Sequence, residues 1–246
     1  MQLSKVLLFL ISTILIFSCK NEPTSSSQKE EVPLPVEQEV HLIDGILQKY
    51  HIEKTINQVI LSYNQNQSET TGELVGFERI NGKWQSTFDT ITVNFGKNGF
   101  AVYDEKIEGD GKSPTGVFEI GKAFGYDDNI SHSIDFITLD ENHYWDSDSK
   151  SATYNQLLTK KPATALMEVM RRKDRLYKYG IIINYNTQPA IPEKGSAIFL
   201  HVQRREGAYT AGCISMKEKN IVRLIEWLKP EQEPMIIMGN WSELTK

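Results

Sequence analysis

The stretch Ile198–Met216 (IFLHVQRREGAYTAGCISM) carries two side chains that can do covalent chemistry together, His201 and Cys213. A thiolate attacks carbonyl carbon, and an imidazole takes and returns the proton that such an attack releases. Gly212, directly before the cysteine, lets the backbone come close to a substrate oxygen. The N–H groups of Gly212 and Cys213 are therefore candidates for an oxyanion hole. Ser215-Met216-Lys217-Glu218 reads as a capping box, and Ile221, Val222, Leu224, Ile225 and Leu228 follow as a helical apolar stripe that Pro230 ends. On this reading Cys213 sits at a helix N-terminus, where free N–H groups and the dipole favour a thiolate that a thiol-directed or acylating probe labels fast. Taken singly, a cysteine is often a small buried hydrophobe and a histidine a hydrogen-bonded structural residue. It is their combination, with the Gly-Cys pair and the helix start, that points to nucleophilic catalysis.

The compartment bears on that cysteine. Lys5 and the apolar run Val6 to Phe17 have the form of a secretory signal and are too short to span a membrane. The run ends Ser18-Cys19, a small residue directly before a cysteine, which resembles the bacterial lipoprotein signal. That resemblance implies cleavage before Cys19 and lipid on its sulfur. The expected location is then extracytoplasmic, lipid-anchored and periplasm-facing. The chain has 2 cysteines. With Cys19 lipidated, Cys213 has no disulfide partner, and an unpaired thiol in an exported protein is a candidate for reactivity.

The remaining elements divide the chain into a signal peptide over 1–18, a polar tether over 19–40 and one folded domain over 41–246. A net charge of −5 argues against a nucleic-acid partner, and 39% hydrophobic residues suffice for a sizeable core. Val40 to Lys54 has helical spacing. Val59 to Tyr63, Gly72 to Ile80 and Lys83 to Thr92 read as strands, the last two joined by the hairpin pair Asn81-Gly82. Ile91 to Phe95 and Phe100 to Tyr103 flank Gly96-Lys97-Asn98-Gly99 as a second hairpin. Gly109 to Gly116 is a loop before a short strand Val117 to Ile120; its spacing does not fit a phosphate-binding P-loop. Phe124 to Ser151 is long, polar and irregular, the form of a lid or substrate wall. Its His132, His143 and carboxylates lack the spacing of the common metal motifs, and a solvated loop is the favoured reading. Pro162 to Arg172 reads as a helix, Gly180 to Tyr185 as a central buried strand, Ser196 to His201 as its neighbour, and Met235 to Met238 as the last strand.

Together these residues resemble the L,D-transpeptidase catalytic domains of the YkuD type. His201, a loop, and Thr210-Ala211-Gly212-Cys213-Ile214 match that family's signature, Pro114-Thr115-Gly116-Val117-Phe118 its Pro-x-Gly-x-Phe segment, and Phe95 to Gly99 the hairpin before it. Ala123 to Tyr126 (Ala-Phe-Gly-Tyr) and the Ala-Gly-Cys core are similar to a divergent branch. The resemblance implies a mainly β (α+β) fold, a sandwich-type sheet assembly with few peripheral helices. It implies that Cys213 attacks the third residue of a peptidoglycan stem tetrapeptide, that the terminal D-Ala leaves, and that an amine or water resolves the thioester. His201 is the base, oriented by a main-chain carbonyl such as that of Val202, and Gly212 contributes to the oxyanion hole. Substrate contacts are expected from Tyr185, Arg204, Arg205, Thr210 and Ser215. No metal or organic cofactor is implied, and a monomer is expected. Ala211 and Ser215 stand where the family usually has histidine and arginine; Arg204 or Arg205 could supply the missing charge. Hydrolysis by a carboxypeptidase, endopeptidase or amidase of the same fold, and a non-catalytic wall-binding lipoprotein, are the alternatives.

Overall fold

The computed structural model describes residues 36–52 and 55–246, with side chains from residue 42 onward. The signal peptide, Cys19 and the tether up to residue 35 lie outside the described residues. Helix α1 (Val36–Lys49) starts earlier and ends earlier than its apolar spacing suggests. Five strands follow: β1 (Gln58–Asn64), β2 (Thr71–Ile80), β3 (Lys83–Ser86), β4 (Ile91–Asn94) and the long β5 (Gly116–Gly125). Short strands β6 (Phe136–Thr138), β7 (Tyr144–Asp146), β8 (Leu157–Leu158) and β9 (Met167–Val169) occupy the middle of the chain. The last part holds β10 (Tyr179–Ile183), β11 (Phe199–Val202), β12 (Ile214–Met216), α2 (Glu218–Trp227), β13 (Met235–Asn240) and the short α3 (Trp241–Leu244).

The main sheet runs β1-β13-β5-β10-β11-β12-β4-β2, and β2 pairs back with β1. It therefore closes on itself, with β3 attached to β2 and β6 to β5. Closure leaves these eight strands with no open edge between them, which satisfies their backbone groups without a covering helix. The fold is mainly β, as the family resemblance implies. Asn81 and Gly82 both have positive φ (51° and 77°) and join β2 to β3. That is the geometry of the two-residue turn that matches strand twist. β1 to β4 pair antiparallel with one another, while β1 also lies parallel to β13, a partner from the far end of the chain. Every residue of β1 and of β10 is buried.

Two sequence expectations fail for identifiable reasons. Pro162–Arg172 is not a helix: β9 pairs with β7 (Tyr144↔Val169, Trp145↔Glu168), and Ser147 and Met170 extend the exchange through N–H···O contacts of 3.0 and 2.9 Å. Of Leu166, Val169 and Met170, which helical spacing would put on one apolar face, Leu166 and Val169 are 60% and 44% exposed and Met170 alone is buried, so the core does not reward helical spacing there. Phe100–Tyr103 does not form a hairpin with β4. Gly96–Gly99 is a turn (Gly99 N–H to Gly96 O, 2.8 Å), after which Phe100 bridges to Ser113 instead. The Phe124–Ser151 region contributes β6 and β7; β7 is the centre of a small antiparallel sheet, β8-β7-β9.

One core lies under β11 and β12 and is shared with α2, which contributes Ile221, Leu224 and Ile225. Leu200, Ile214 and Met216 point into it. The alternate residues of the same strands point the other way. There Phe199 joins Phe124, Trp145, Tyr177 and Cys213 in a second cluster.

Candidate active site

β11 and β12 are parallel neighbours with His201 opposite Ser215 and Leu200 opposite Ile214. The two-residue period then brings His201 and Ser215 to one face, and Cys213, at the entry to β12, to the same side. All three line a cleft of about 900 Å³. His201 and Cys213 are nearly closed off, 6% and 7% exposed. Sheet register thus places both residues of the pair read from the sequence in one cleft.

His201 Nδ1 lies 2.9 Å from the Val202 carbonyl oxygen. A carbonyl only accepts, so the proton of the neutral ring sits on Nδ1 and the lone pair on Nε2. The main-chain carbonyl that contacts the ring is thus that of Val202. Tyr177 packs edge-on against the imidazole, ring centroids 5.3 Å apart. Burial pushes the His201 pKa down to about 4, with the Arg172 charge adding to it and the Val202 carbonyl opposing. The ring is neutral at pH 7.

The cysteine differs from the sequence expectation in place and in protonation. Ser215 lies within β12, buried, where it accepts from Asn94 Nδ2 (3.2 Å), and it caps nothing. α2 begins at Glu218 after Lys217, with no side-chain cap. A short strand thus separates Cys213 from the helix, and dipole stabilisation falls off within the first turn. Instead the thiol donates to the Ala197 carbonyl oxygen at 3.2 Å. Burial raises its pKa to about 12; the Glu168 carboxylate adds to this, while the Phe199 backbone and the Lys106 and Arg172 charges oppose it. The thiol and the imidazole thus both rest neutral on one cleft face, and slow labelling of Cys213 at neutral pH, rather than fast, is the expected outcome.

The loop before Cys213 is tied by Thr210. Its Oγ1 donates to the Cys213 carbonyl (2.6 Å) and accepts from the Gly212 N–H (3.0 Å). The Gly212 N–H is therefore engaged, and of the two donors read as an oxyanion hole the Cys213 N–H is the other. Gly212 has φ of 152°, and a Cβ on it would meet the Lys112 carbonyl at 2.8 Å. The glycine is required by that close approach. Lys97 N–H to Thr210 O (2.9 Å) and Thr210 N–H to Phe95 O (2.8 Å) stitch the same loop to the turn after β4.

Arg204, Arg205, Thr210 and Ser215 all line the cleft. Arg204 is exposed, 3.9 Å from Asp174. Tyr185 does not line it: its hydroxyl donates to the Lys194 carbonyl and its ring packs edge-on against Phe118. His132 and His143 sit 3.0 and 2.8 Å from Asp128 and Asp140, each held by a carboxylate of its own loop, and among the described residues no group of three ligands converges.

Several cleft residues carry no sequence signal. Glu168, on β9, accepts from the buried Tyr177 hydroxyl, and burial raises the pKa of both groups. Arg172 lies 4.0 Å from Glu168 and grips Asp174 through two contacts of 2.9 and 2.7 Å. Lys106, 5% exposed, is paired with Asp110 at 2.8 Å. Ser147 and the 165–168 segment of the small sheet form part of the wall, so the middle region does reach the cleft.

Comparison with known proteins agrees with this construction. The family model for the L,D-transpeptidase catalytic domain (YkuD) matches residues 74–237, which include the whole cleft loop. No curated protein matches. Among solved structures, the chain is similar to the helical cell shape determining protein Pgp2 from Campylobacter jejuni, at 16% identity and a TM-score of 0.39, over 80% of this chain and 55% of that one. The chain thus spans little more than half the length of that relative. With the family model covering most of the chain and taking in both His201 and Cys213, this protein belongs to the YkuD family of L,D-transpeptidase catalytic domains.

Proposed function

We propose that this protein is a cysteine acyltransferase acting on peptidoglycan stem peptides, with Cys213 as nucleophile and His201 as general base and acid. Family membership supports a function on peptidoglycan. The observation that carries the finer reading is the pair of side chains on one cleft face, with His201 protonated at Nδ1 by virtue of the Val202 carbonyl and Nε2 left to accept.

Because both groups rest neutral, proton transfer accompanies attack rather than preceding it. Cys213 Sγ bonds to the carbonyl carbon of the third stem residue while its proton passes to His201 Nε2. The tetrahedral oxyanion is met by the Cys213 N–H. The intermediate collapses by breaking the bond to the terminal D-Ala, whose amine leaves with the proton from His201. An amine of a second stem peptide, or water, then gives its proton to Nε2 as it attacks the thioester carbonyl; the C–S bond breaks, and Nε2 returns the proton to Sγ, restoring the neutral pair. Arg204 and Arg205, with Lys97, line the same cleft and are cations that can meet the substrate carboxylates. The Ser18-Cys19 signal supports an extracytoplasmic, lipid-anchored enzyme.

The test is mass spectrometry of purified tetrapeptide muropeptides incubated with wild type, Cys213→Ala and His201→Ala. Loss of D-Ala with dimers assigns cross-linking, and loss without dimers assigns hydrolysis. Cys213→Ala is expected to give no product, and His201→Ala a rate lower by about 10²–10⁴-fold. If no stem peptide gives a Cys213-dependent product, the wall-binding alternative holds instead.

A further inference from the structure

The thiol of Cys213 rests on a carbonyl held in an unusual backbone conformation. Ala197 carries that carbonyl at φ 55°, in the left-handed region that side chains other than glycine and asparagine avoid. Such a conformation persists only where its surroundings hold it. What holds it is Asn155. Its Oδ1 accepts the Ala197 N–H at 2.9 Å and the Trp145 Nε1–H at 2.9 Å, and its Nδ2 donates to the carbonyls of Tyr185 (2.9 Å) and Asn186 (2.7 Å). Asn155 is 3% exposed, and all four of its hydrogen-bonding positions are filled. It links the small sheet, through Trp145 on β7, to the segment that enters β11.

We propose that Asn155 is a positioning residue for the Cys213 nucleophile: by fixing the Ala197 turn it sets the carbonyl that receives the Cys213 S–H, and so parks and aims the thiol in its protonated form. The assignment rests on Cys213 being the nucleophile. A hydrogen bond donated by the S–H favours the protonated sulfur, and the same carbonyl repels a thiolate. When His201 takes the proton, the sulfur loses its reason to face Ala197 and is released toward the substrate. The device keeps a cleft thiol quiet between turnovers without removing its competence.

The test measures alkylation of the full chain by iodoacetamide, as initial rate against pH, with the modified site read by peptide mapping. It needs no muropeptide, so it succeeds or fails independently of the functional reading. Asn155→Ala, shown folded by circular dichroism, is expected to lower the pH of half-maximal Cys213 alkylation by at least about one unit, since the neutral-form hydrogen bond that holds the proton on sulfur is lost. Asn155→Asp keeps an oxygen for the Ala197 N–H and is expected to keep the midpoint at or above wild type. Trp145→Phe removes a different bond to the same oxygen and is expected to leave it in place. An unchanged midpoint in Asn155→Ala, or the same drop in all three variants, overturns the proposal. Should Asn155→Ala not fold, the Raman S–H stretching band of Cys213, isolated by difference against Cys213→Ala, is compared in wild type and Asn155→Asp. A band displaced to the hydrogen-bonded frequency in both upholds the assignment, and a free-thiol frequency in either overturns it.

Discussion

His201 and Cys213 are both buried in their neutral forms, and this has opposite consequences at the two ends of the pH scale. For His201 the folded-state pKa near 4 lies below the ordinary 6.5, so the unfolded chain binds the proton first as pH falls. The stability associated with the neutral ring is complete above pH 6.5 and is lost as pH drops toward 4. The loss totals about 3 kcal/mol, at about 1.4 kcal/mol per unit. Urea denaturation of wild type and His201→Gln across this window should show the variant with the shallower loss. For Cys213 the folded pKa of about 12 lies above the ordinary 9.0, so its contribution is present below pH 9 and lost as pH rises toward 12. Cys213→Ser should be the less sensitive protein in that alkaline range, by the same denaturation measurement. At this scale the sequence was informative about identity but not environment. Residue type and spacing named the pair, while the fall and rise of their pKa values come from burial among groups such as Tyr177 and Glu168, which no local pattern connects to them.

Among the elements, the loop from Thr210 to Cys213 sets the backbone of the site. Thr210 Oγ1 closes it with two hydrogen bonds, to Cys213 O and from Gly212 N. Thr210→Val keeps the volume and leaves both groups without this partner, at a cost of about 1–3 kcal/mol. The expected readout is a lower urea midpoint at unchanged slope, with a fall in turnover as the Cys213 backbone loosens. The elements were unevenly legible. Asn81-Gly82 announced its hairpin because only such residues accept two successive positive φ values. Ser215–Glu218 looked like a capping box, but Ser215 was claimed by Asn94 and by pairing with β11, a tertiary preference that overrides a local one. Pro162–Arg172 failed for the same reason, with β7 as the competing partner.

At the scale of the molecule, the closed sheet fixes the strand register on which the site is built. β11 carries His201 between β10 and β12, and α2 packs on β10 and β11 from the core side. Leu224 is fully buried there. Cutting it to alanine should cost about 2–5 kcal/mol, read as a lower thermal midpoint, with turnover retained below the transition because no cleft residue is touched. The β character was legible from alternation and turn signals, but closure was not, because it depends on β1 pairing with β13 across nearly the whole chain. On the proposed mechanism Cys213 forms a thioester with a stem peptide. Intact-protein mass spectrometry of the full chain, quenched in acid during turnover of a tetrapeptide muropeptide, tests it most directly. The expected result is a mass increase equal to the substrate less D-Ala, mapped to the peptide holding Cys213 and absent from Cys213→Ala. An unmodified Cys213 while D-Ala is being released would contradict it.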